Sequence, residues 1–247
     1  MAESMKPSTY YAAYQPLVEL ANGQCFGYEA LLRCASKQSP EQLFQTARQA
    51  GQLYELDTAA MRGAVSSYFA EMPAGRNAPY LFVNLFPSTL LNPLFPPFLD
   101  ELLAAFPGIA RRIVLEINEA AEEDKMWDVR LLGQKIRELR AYGFLIALDD
   151  VGSGAASLRK IVEYEPDVVK LDRYFGSQLA HHPNKQKLVS LFVDFCLGQS
   201  QLVLEGLQEL DDLAAAKALG VPVGQGFLLG RPRSLDQAEM IGSNAAM

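Results

Sequence analysis

The stretch FLIALDD, residues 144–150, is an apolar run of strand length that closes on two carboxylates. The same pattern recurs in IVLEIN (113–118), VVKLD (168–172) and LVLEG (202–206), where a charged residue stands inside or at the end of an apolar run. Short apolar runs of this kind are typical of buried strands in a parallel sheet. An isolated ionised side chain in such a strand costs several kcal/mol unless it is paired. The charged residues of these strands therefore need partners.

Helical stretches separate these runs, so that strands and helices alternate along most of the chain. The predicted strands are Tyr11–Leu20, Gln24–Arg33, Tyr80–Leu85, Ile113–Asn118, Phe144–Asp150, Val168–Asp172, Leu202–Gly206 and Val223–Phe227. The predicted helical stretches between them include about Tyr54–Met72, Pro87–Phe106, Asp124–Tyr142, about Ala155–Glu163, Asn184–Gly198 and Leu210–Leu219. This rhythm over 247 residues predicts an α/β fold of the TIM-like (β/α)8 barrel type, for which about 250 residues is typical.

The beginning of the chain departs from this rhythm. The first two strands are joined by Ala21-Asn22-Gly23, a strong signal for a β-hairpin. A hairpin makes the first strand antiparallel to its neighbour, which is the one irregularity expected in the barrel. The next segment, Ser39-Pro40-Glu41-Gln42, has the pattern of a capped helix start, and Gly51 closes that helix. With no linker or low-complexity tract, we expect one domain over residues 1–247.

Composition excludes several classes of function. The net charge is −7 and there is no basic stripe, so we expect no binding to a nucleic-acid polymer. The sequence has no apolar run near 18 residues long and no signal-peptide segment at the N-terminus, so we expect no membrane insertion and a cytoplasmic location. The widely spaced Cys25, Cys34 and Cys196 predict free thiols. His181 and His182 are the only histidines and predict a solvated loop, which leaves no histidine-based catalysis.

Charged residues recur at or near the ends of the predicted strands. The acidic ones are Glu29, Glu116, Asp149, Asp150, Asp172 and Glu205; Lys170 is the one base, and Asn84 and Gln225 are neutral. If the strand ends meet, each close pair of carboxylates repels by about 4 kcal/mol at an effective dielectric near 20. One lysine cannot balance six acids, whereas divalent cations can. Since the chemistry of such barrels lies at the carboxyl ends of the strands, the pattern predicts a metal-dependent active site at one rim.

Each of these residues also has an ordinary structural explanation. The pair Asp149-Asp150 suits a bridging metal ligand, but its second residue or Ser153 would also serve as a helix N-cap. Lys170 and Asp172 are compatible with a structural ion pair, and near metals the lysine could instead hold an attacking water or a phosphate oxygen. Arg33 suits either a substrate phosphate or a surface salt bridge. The recurrence of such residues once per strand favours a shared site.

At these residues the chain resembles the EAL family of cyclic di-GMP phosphodiesterases. The resemblance covers about Tyr14 to Pro232, nearly the whole chain, in the family's order and spacing. The matching motifs are Tyr14-Gln15-Pro16, Glu29-Ala30-Leu31 within YEALLR, Val83-Asn84, Glu116-Ile117-Asn118-Glu119, Asp149–Gly154, Lys170-Leu171-Asp172, Glu205–Gln208 and Gln225-Gly226-Phe227.

The resemblance implies an EAL-type barrel that hydrolyses cyclic di-GMP to linear pGpG with two Mg²⁺ or Mn²⁺ ions. The implied ligands are Glu29, Asn84, Glu116 and Asp149 for one cation, and Asp149, Asp150 and Glu205 for the other. Among the implied catalytic residues, Lys170 would steady the attacking water, Glu205 would hold the second cation, and Asp172 would complete the shell. The implied substrate-binding residues are Gln15 and Leu31 at a guanine, Arg33 at a phosphate, and Gln225. Glu119 would hold the loop 149–157 in place.

Two departures from the family pattern bear on activity. Asn118 stands where the family has threonine, and Gln208 stands where it has a glutamate near the second cation. They keep open a rival in which the same barrel binds cyclic di-GMP or a protein partner without turnover, although every implied ligand is present. An unrelated barrel, such as an enolising isomerase, would not account for the ordered motifs. Because the predicted barrel leaves no room for a sensor domain, we expect regulation by expression, by a homodimer or by a regulatory protein partner.

Overall fold

The structure, a computed structural model, describes residues 10–36, 38–72, 78–117, 123, 126, 130–152 and 157–235. Its strands form a closed barrel in chain order. They are β1 Tyr10–Glu19, β2 Cys25–Cys34, β3 Tyr80–Leu85, β4 Ile113–Ile117, β5 Leu145–Val151, β6 Val168–Leu171, β7 Gln201–Leu204 and β8 Val223–Gln225. The predicted strands are thus all present, most within one or two residues of the predicted bounds.

The first strand is antiparallel to both of its neighbours in the barrel. β1 pairs antiparallel with β2 and with β8, whereas the neighbouring strands from β2 to β8 pair parallel. The hairpin turn is built as its sequence indicates: Asn22 Oδ1 accepts a hydrogen bond of 2.8 Å from the Gln24 N–H, and Gly23 has a φ of 75°, a region that glycine adopts without strain. The prediction of a TIM-like barrel with an antiparallel first strand is confirmed.

Helices follow most of the strands and cover the outside of the barrel. They are α1 Pro40–Gln49, α2 Leu53–Glu71, α3 Pro87–Leu90, α4 Phe95–Ala105, α5 Arg130–Tyr142, α6 Ser157–Tyr164, α7 Arg173–Gly176, α8 Pro183–Cys196 and α9 Leu210–Ala218, with 3-10 turns at Ala110–Arg112 and Leu179–His181. Ser39 caps α1 through a 3.3 Å hydrogen bond from the Gln42 N–H, as predicted. The helical region predicted over Pro87–Phe106 separates into α3 and α4, because Pro93 between them has no N–H to continue a helix. Much of the segment predicted to open the helix Asp124–Tyr142 lies outside the described residues.

Two apolar layers hold the barrel together. The outer layer fills the space between strands and helices. The inner layer fills the barrel itself with one apolar side chain from each strand except β2; its members are Leu17, Phe82, Val114, Ala147, Val168, Val203 and Val223. Gly27 on β2 makes room for this plug, because a Cβ there would lie 2.7 Å from the ring of Phe82. The barrel interior is therefore a packed core on which a site can rest.

The remaining sequence predictions concern thiols, histidines and membranes. All three cysteines are free, with Cys34 and Cys196 buried and Cys25 half-buried. His181 and His182 are exposed; His181 ends the 3-10 turn Leu179–His181, and His182 connects this turn to α8. Within the described part of the chain, no helix has the length and apolar character needed to cross a membrane.

Candidate metal centre

A layer of polar side chains lies directly beyond the inner apolar layer, at the carboxyl ends of the parallel strands. Side chains two residues apart in a strand point to the same face, so the residue two positions after each apolar plug residue also points into the barrel. The resulting pairs are Phe82 with Asn84, Val114 with Glu116, Ala147 with Asp149, Val168 with Lys170, Val203 with Glu205, and Val223 with Gln225. We call the six second members, together with Glu29 of β2, the polar ring.

Lys170 stands at the centre of the polar ring and is fully buried. Its Nζ lies 2.6 Å from Glu116 Oε1, 2.8 Å from Glu205 Oε1, 3.0 Å from Asp149 Oδ1 and 3.4 Å from Glu29 Oε2. The structural ion pair weighed for Lys170 and Asp172 is thus replaced by contacts with carboxylates from β2, β4, β5 and β7. One ammonium group with three N–H donors faces four carboxylates, which leaves the ring with an excess of negative charge.

The donor atoms of the ring fit a divalent cation. Glu116 Oε2 has no hydrogen-bond partner in the described structure, and Glu116 Oε1 and Asp149 Oδ1 meet Lys170 at ion-pair distance but outside hydrogen-bond geometry. Asp149, Asp150 and Glu205 each offer an oxygen within 4.8 Å of the others. Hard carboxylate and amide oxygens are the ligands preferred by Mg²⁺, Ca²⁺ and Mn²⁺. The buried oxygens without a hydrogen-bond partner are a donor set that a divalent cation would satisfy.

Burial raises the pKa of several acids in and beside the ring. The pKa of Glu205 rises to about 8 and that of Asp150 to about 7, chiefly because burial disfavours the charged form. The pKa of Glu116 lies well above its ordinary range because of burial first and the charge of Glu29 second. Burial also works against the charge on Lys170, but the surrounding carboxylates outweigh it and hold the pKa of Lys170 well above its ordinary value. Without a cation, part of this acidic cluster takes up protons near neutral pH.

A β-bulge brings the adjacent carboxylates of Asp149 and Asp150 to the same site. In a regular strand their side chains would point to opposite faces. The pairing register between β5 and β6 shifts between Leu148 and Val151, and Asp150 has a φ of 53°. Aspartate tolerates this left-handed conformation better than most residues, and bulges of this kind re-aim side chains next to active sites. Both residues belong to strand β5, in agreement with the predicted strand Phe144–Asp150.

Hydrogen bonds orient Glu29 on the β2 side of the ring. Its Oε2 accepts a 2.6 Å hydrogen bond from Gln225 Nε2, and its Oε1 accepts a longer one of 3.4 Å from Asn84 Nδ2. Gln225 Nε2 also lies 3.4 Å from Gln15 Oε1, and Gln15 Nε2 donates to the Gly230 carbonyl at 3.1 Å. Asn84 keeps its carbonyl oxygen available for a cation. Gln15, implied at a guanine, is buried and contacts Gln225, the residue that donates to Glu29.

Close backbone packing fixes Glu205 at the end of β7. The Glu205 N–H donates to the Leu171 carbonyl at 3.1 Å. Gly176 in α7 lies against the other side, where an added Cβ would stand 1.9 Å from the Glu205 carbonyl oxygen. Only glycine allows this approach, so the short helix α7 acts as a stop that sets the position of the Glu205 backbone.

A groove of about 2030 Å³ opens beside the ring and is lined by Glu29, Leu31, Arg33, Asn84 and Asp150 among others. Leu31 and Arg33 therefore lie where a substrate held at the ring would reach them. Arg33 Nη1 donates to the Leu32 carbonyl at 2.9 Å, and it forms no salt bridge with any described residue. The surface salt bridge weighed for Arg33 is not seen in the described structure, which leaves its other donors for a phosphate.

Asp172 and Gln208 are not members of the polar ring. Asp172 Oδ1 caps α7 by accepting a 2.7 Å hydrogen bond from the Tyr174 N–H, so one of its oxygens serves the fold. Gln208 is exposed. Glu119, expected to hold the loop, lies outside the described residues, as does Asn118.

Two further buried carboxylates near the groove, Glu123 and Asp57, were not predicted from the sequence. Glu123, 1% exposed, accepts hydrogen bonds from the Ser88 N–H at 2.8 Å and the Ser88 hydroxyl at 3.1 Å, and it forms an ion pair with Arg48. Asp57, 2% exposed, accepts from the Phe86 N–H at 3.0 Å. Both acids connect segments far apart in the chain and stand in helical or acidic stretches, where such residues are ordinarily solvated.

Comparison with known proteins finds a matching family and several relatives of this chain. The EAL domain family profile matches residues 3–232. A cyclic di-GMP phosphodiesterase of Pseudomonas aeruginosa is 27% identical over 237 residues, which cover 93% of this chain and 39% of that protein. An uncharacterized signaling protein of Caulobacter vibrioides is 29% identical over 234 residues, covering 92% of this chain and 28% of that protein. The chain thus spans less than half the length of these relatives.

Two solved structures are also similar to this chain in fold and sequence. The phosphodiesterase MucR of Pseudomonas aeruginosa in complex with c-di-GMP aligns with a TM-score of 0.82 and 26% identity, over 94% of both chains. BlrP1 of Klebsiella pneumoniae in a calcium and cyclic di-GMP complex aligns with a TM-score of 0.81 and 27% identity, over 94% of this chain and 58% of that one.

Proposed function

Because the chain belongs to the EAL domain family, we propose that it is a phosphodiesterase that hydrolyses cyclic di-GMP to linear pGpG with Mg²⁺ or Mn²⁺. The observation that carries this proposal is the polar ring: four carboxylates around one buried lysine, with buried oxygens that have no hydrogen-bond partner. A cyclic dinucleotide carries two negative phosphodiester groups, and an acidic ring repels them unless cations stand between. The relatives solved with cyclic di-GMP and calcium or manganese support a divalent cation.

We assign the first cation to Glu29, Asn84, Glu116 and Asp149, and the second to Asp149, Asp150 and Glu205. When bound, the cations neutralise the charge of the phosphodiester and favour deprotonation of the attacking water. Asp149 is suited to a shared ligand because the bulge aims it and Asp150 at the same place. Gln225 and Gln15 keep Glu29 in one orientation, which reduces the reorganisation needed when a cation binds.

Lys170 has a separate role in the proposed reaction. Its ammonium group is held in place by carboxylates from four strands and remains protonated, so it can donate a hydrogen bond to the attacking water or to a phosphoryl oxygen. Water attacks phosphorus and the bond from phosphorus to the 3′ oxygen breaks, which leaves a 3′ hydroxyl and the 5′ phosphate of pGpG. Positive charge placed where negative charge develops stabilises the transition state more than the ground state.

Arg33 and Leu31 are the groove residues that we assign to the substrate. Arg33 has donors free for a phosphate oxygen, and Leu31 offers an apolar surface to a guanine. Hydrogen bonds to Gly230 and Gln225 hold the side chain of Gln15 in place. Gln15 can bind a guanine only if it gives up its hydrogen bond to the Gly230 carbonyl. We therefore assign Gln15 first to the orientation of Glu29.

A single assay tests the proposed function. Purified protein is incubated with cyclic di-GMP and Mg²⁺, Mn²⁺ or excess chelator, and the nucleotides are separated. We expect pGpG with either cation and none with chelator. Tight binding of cyclic di-GMP without any product would instead identify the chain as a binding module, and turnover in chelator would contradict the role of the cations.

A further inference from the structure

An aromatic side chain lies in the groove just after the end of β3, two residues beyond Asn84 of the polar ring. Phe86 follows Asn84 by two positions, and its backbone is still extended, with φ −74° and ψ 139°. Side chains two apart on an extended backbone share a face, and Phe86 lines the same groove as Asn84 and Asp150. Its neighbours Leu85 and Pro87 are buried, whereas Phe86 is only half-buried. Part of its ring surface therefore faces the groove.

Helix α1 holds this ring from one side. Phe44 packs edge-on against Phe86, with ring centroids 5.0 Å apart and an angle of 68° between the planes. The guanidinium carbon of Arg48 lies 5.4 Å from the centroid of the Phe86 ring. Phe44 and Arg48 are four residues apart and so lie on the same face of α1. Both line the groove.

Two buried carboxylates, Asp57 and Glu123, fix the positions of Phe86 and Arg48. Asp57 accepts the Phe86 N–H at 3.0 Å, which sets the backbone from which the ring projects. Glu123 forms the ion pair with Arg48 and also accepts from Ser88, so it ties α1 to the segment that follows Phe86. A half-exposed ring held in this way has little conformational entropy to lose when a flat group stacks on it.

We propose that Phe86, supported by Phe44 and Arg48, is the stacking platform for the second purine base of the substrate, and that it lowers KM more than it raises kcat. This proposal rests on the proposed function. A cyclic dinucleotide that places one phosphodiester at the polar ring and one guanine near Leu31 has a second guanine to accommodate. Phe86 presents an aromatic surface next to the polar ring, near the end of β3. Every purine has a face that stacks on such a surface.

The test compares Phe86→Leu, which keeps an apolar side chain but removes the π-face, with Phe86→Tyr, which keeps the ring. Phe195→Ala on α8 is the control, because Phe195 is an exposed aromatic residue at 44% and does not line the groove. Steady-state kinetics with cyclic di-GMP at saturating Mn²⁺ give KM and kcat. We expect Phe86→Leu to raise KM about 10-fold, the lower part of the range for a lost base stack, with kcat within about 3-fold. Phe86→Tyr and Phe195→Ala should match the parent protein.

A change in folding is separated from a lost stack by the Mn²⁺ concentration that gives half-maximal rate. A merely structural role for Phe86 would disturb Asn84 and move that concentration, whereas the platform leaves it unchanged. An unchanged KM in Phe86→Leu, with an active parent protein, would overturn the platform and leave the proposed function standing. If the parent protein has no turnover, calorimetric binding of cyclic di-GMP replaces KM. Weaker binding by Phe86→Leu than by the parent protein supports the platform, whereas equal binding by the two proteins, or no binding by the parent protein, overturns it.

Discussion

The two inner layers of the barrel are built from the same strands, two residues apart, and have opposite characters. The lower layer, from Leu17 to Val223, is apolar and closely packed. The upper layer, the polar ring, contains a lysine, four carboxylates and unsatisfied oxygens. Apolar packing stabilises the lower layer, whereas the upper layer keeps an excess of negative charge and buried oxygens without hydrogen-bond partners. The inward-facing residues of the strands therefore form the packed core at one level and the candidate site two residues further along.

The contrast predicts that changes in the two layers separate activity from stability. Glu29→Ala removes a carboxylate that faces Lys170 and should abolish detectable turnover while the folded state survives. Its counterpart in the lower layer, Val203→Ala, should leave kcat within a few-fold but lower the free energy of unfolding by about 2 kcal/mol, as small cavities do. Kinetics and urea unfolding of both variants check this. Equal losses of stability in both, or full activity in Glu29→Ala, would break the comparison.

Lys170 should behave differently from either layer, because it is the one group that reduces the charge of the ring. Lys170→Met leaves the surrounding carboxylates without a counter-charge, so we expect kcat to fall by about 100-fold or more, with a much smaller change in cyclic di-GMP affinity. Rates and calorimetric binding, both measured in Mn²⁺, separate the two effects. Equal losses in kcat and in affinity would reassign Lys170 to ground-state binding of the substrate.

Gly176 tests how tightly the upper layer is positioned from outside. Gly176→Ala places a methyl group against the Glu205 carbonyl, and displacement of a ligand by a fraction of an ångström should lower activity by about 10- to 100-fold, the range seen for lost supports of metal ligands. Gly133→Ala in α5 is the matched control, because its added Cβ would make only ordinary contacts, the nearest 3.5 Å from the Tyr164 ring, and Gly133 does not line the groove. That control should be neutral or slightly stabilising. Comparable activity in the two variants would show that α7 does not set Glu205.

The smallest effect is expected at Gln208, three residues after Glu205. A glutamate there would add negative charge near the second proposed cation, but the side chain is exposed, where water and salt screen charges. We expect Gln208→Glu to lower the Mn²⁺ concentration for half-maximal rate by only a few-fold. A metal titration of initial rates measures this. A shift of about 100-fold would mean that Gln208 lies closer to the reaction than its exposure indicates.

The sequence predicts the barrel and most of the polar ring because both follow from strand periodicity. An apolar run with Glu116 or Asp149 near its end predicts both the strand and the end of the strand at which the site lies. Strand periodicity does not reveal the bulge at Asp150, because a left-handed residue inside a strand leaves the pattern of residue types unchanged. Nor does it reveal Asp57 and Glu123, whose partners are remote in the chain. Their burial depends on tertiary contacts that local patterns do not encode.

The most direct test of the central claim, that the polar ring is completed by divalent cations, is the unfolding temperature as a function of pH with and without Mn²⁺. The folded-state pKa values of Glu205, about 8, and Asp150, about 7, lie above their ordinary values of 4.5 and 3.8. The stability from their protonated forms is therefore complete below pH 4 and is lost as pH rises toward about 8. We predict that the metal-free protein loses stability over this range, that Mn²⁺ restores several degrees at the upper end and little at the lower end, and that Glu205→Gln reduces the slope. A pH-independent unfolding temperature, or an equal effect of Mn²⁺ throughout, would contradict the account.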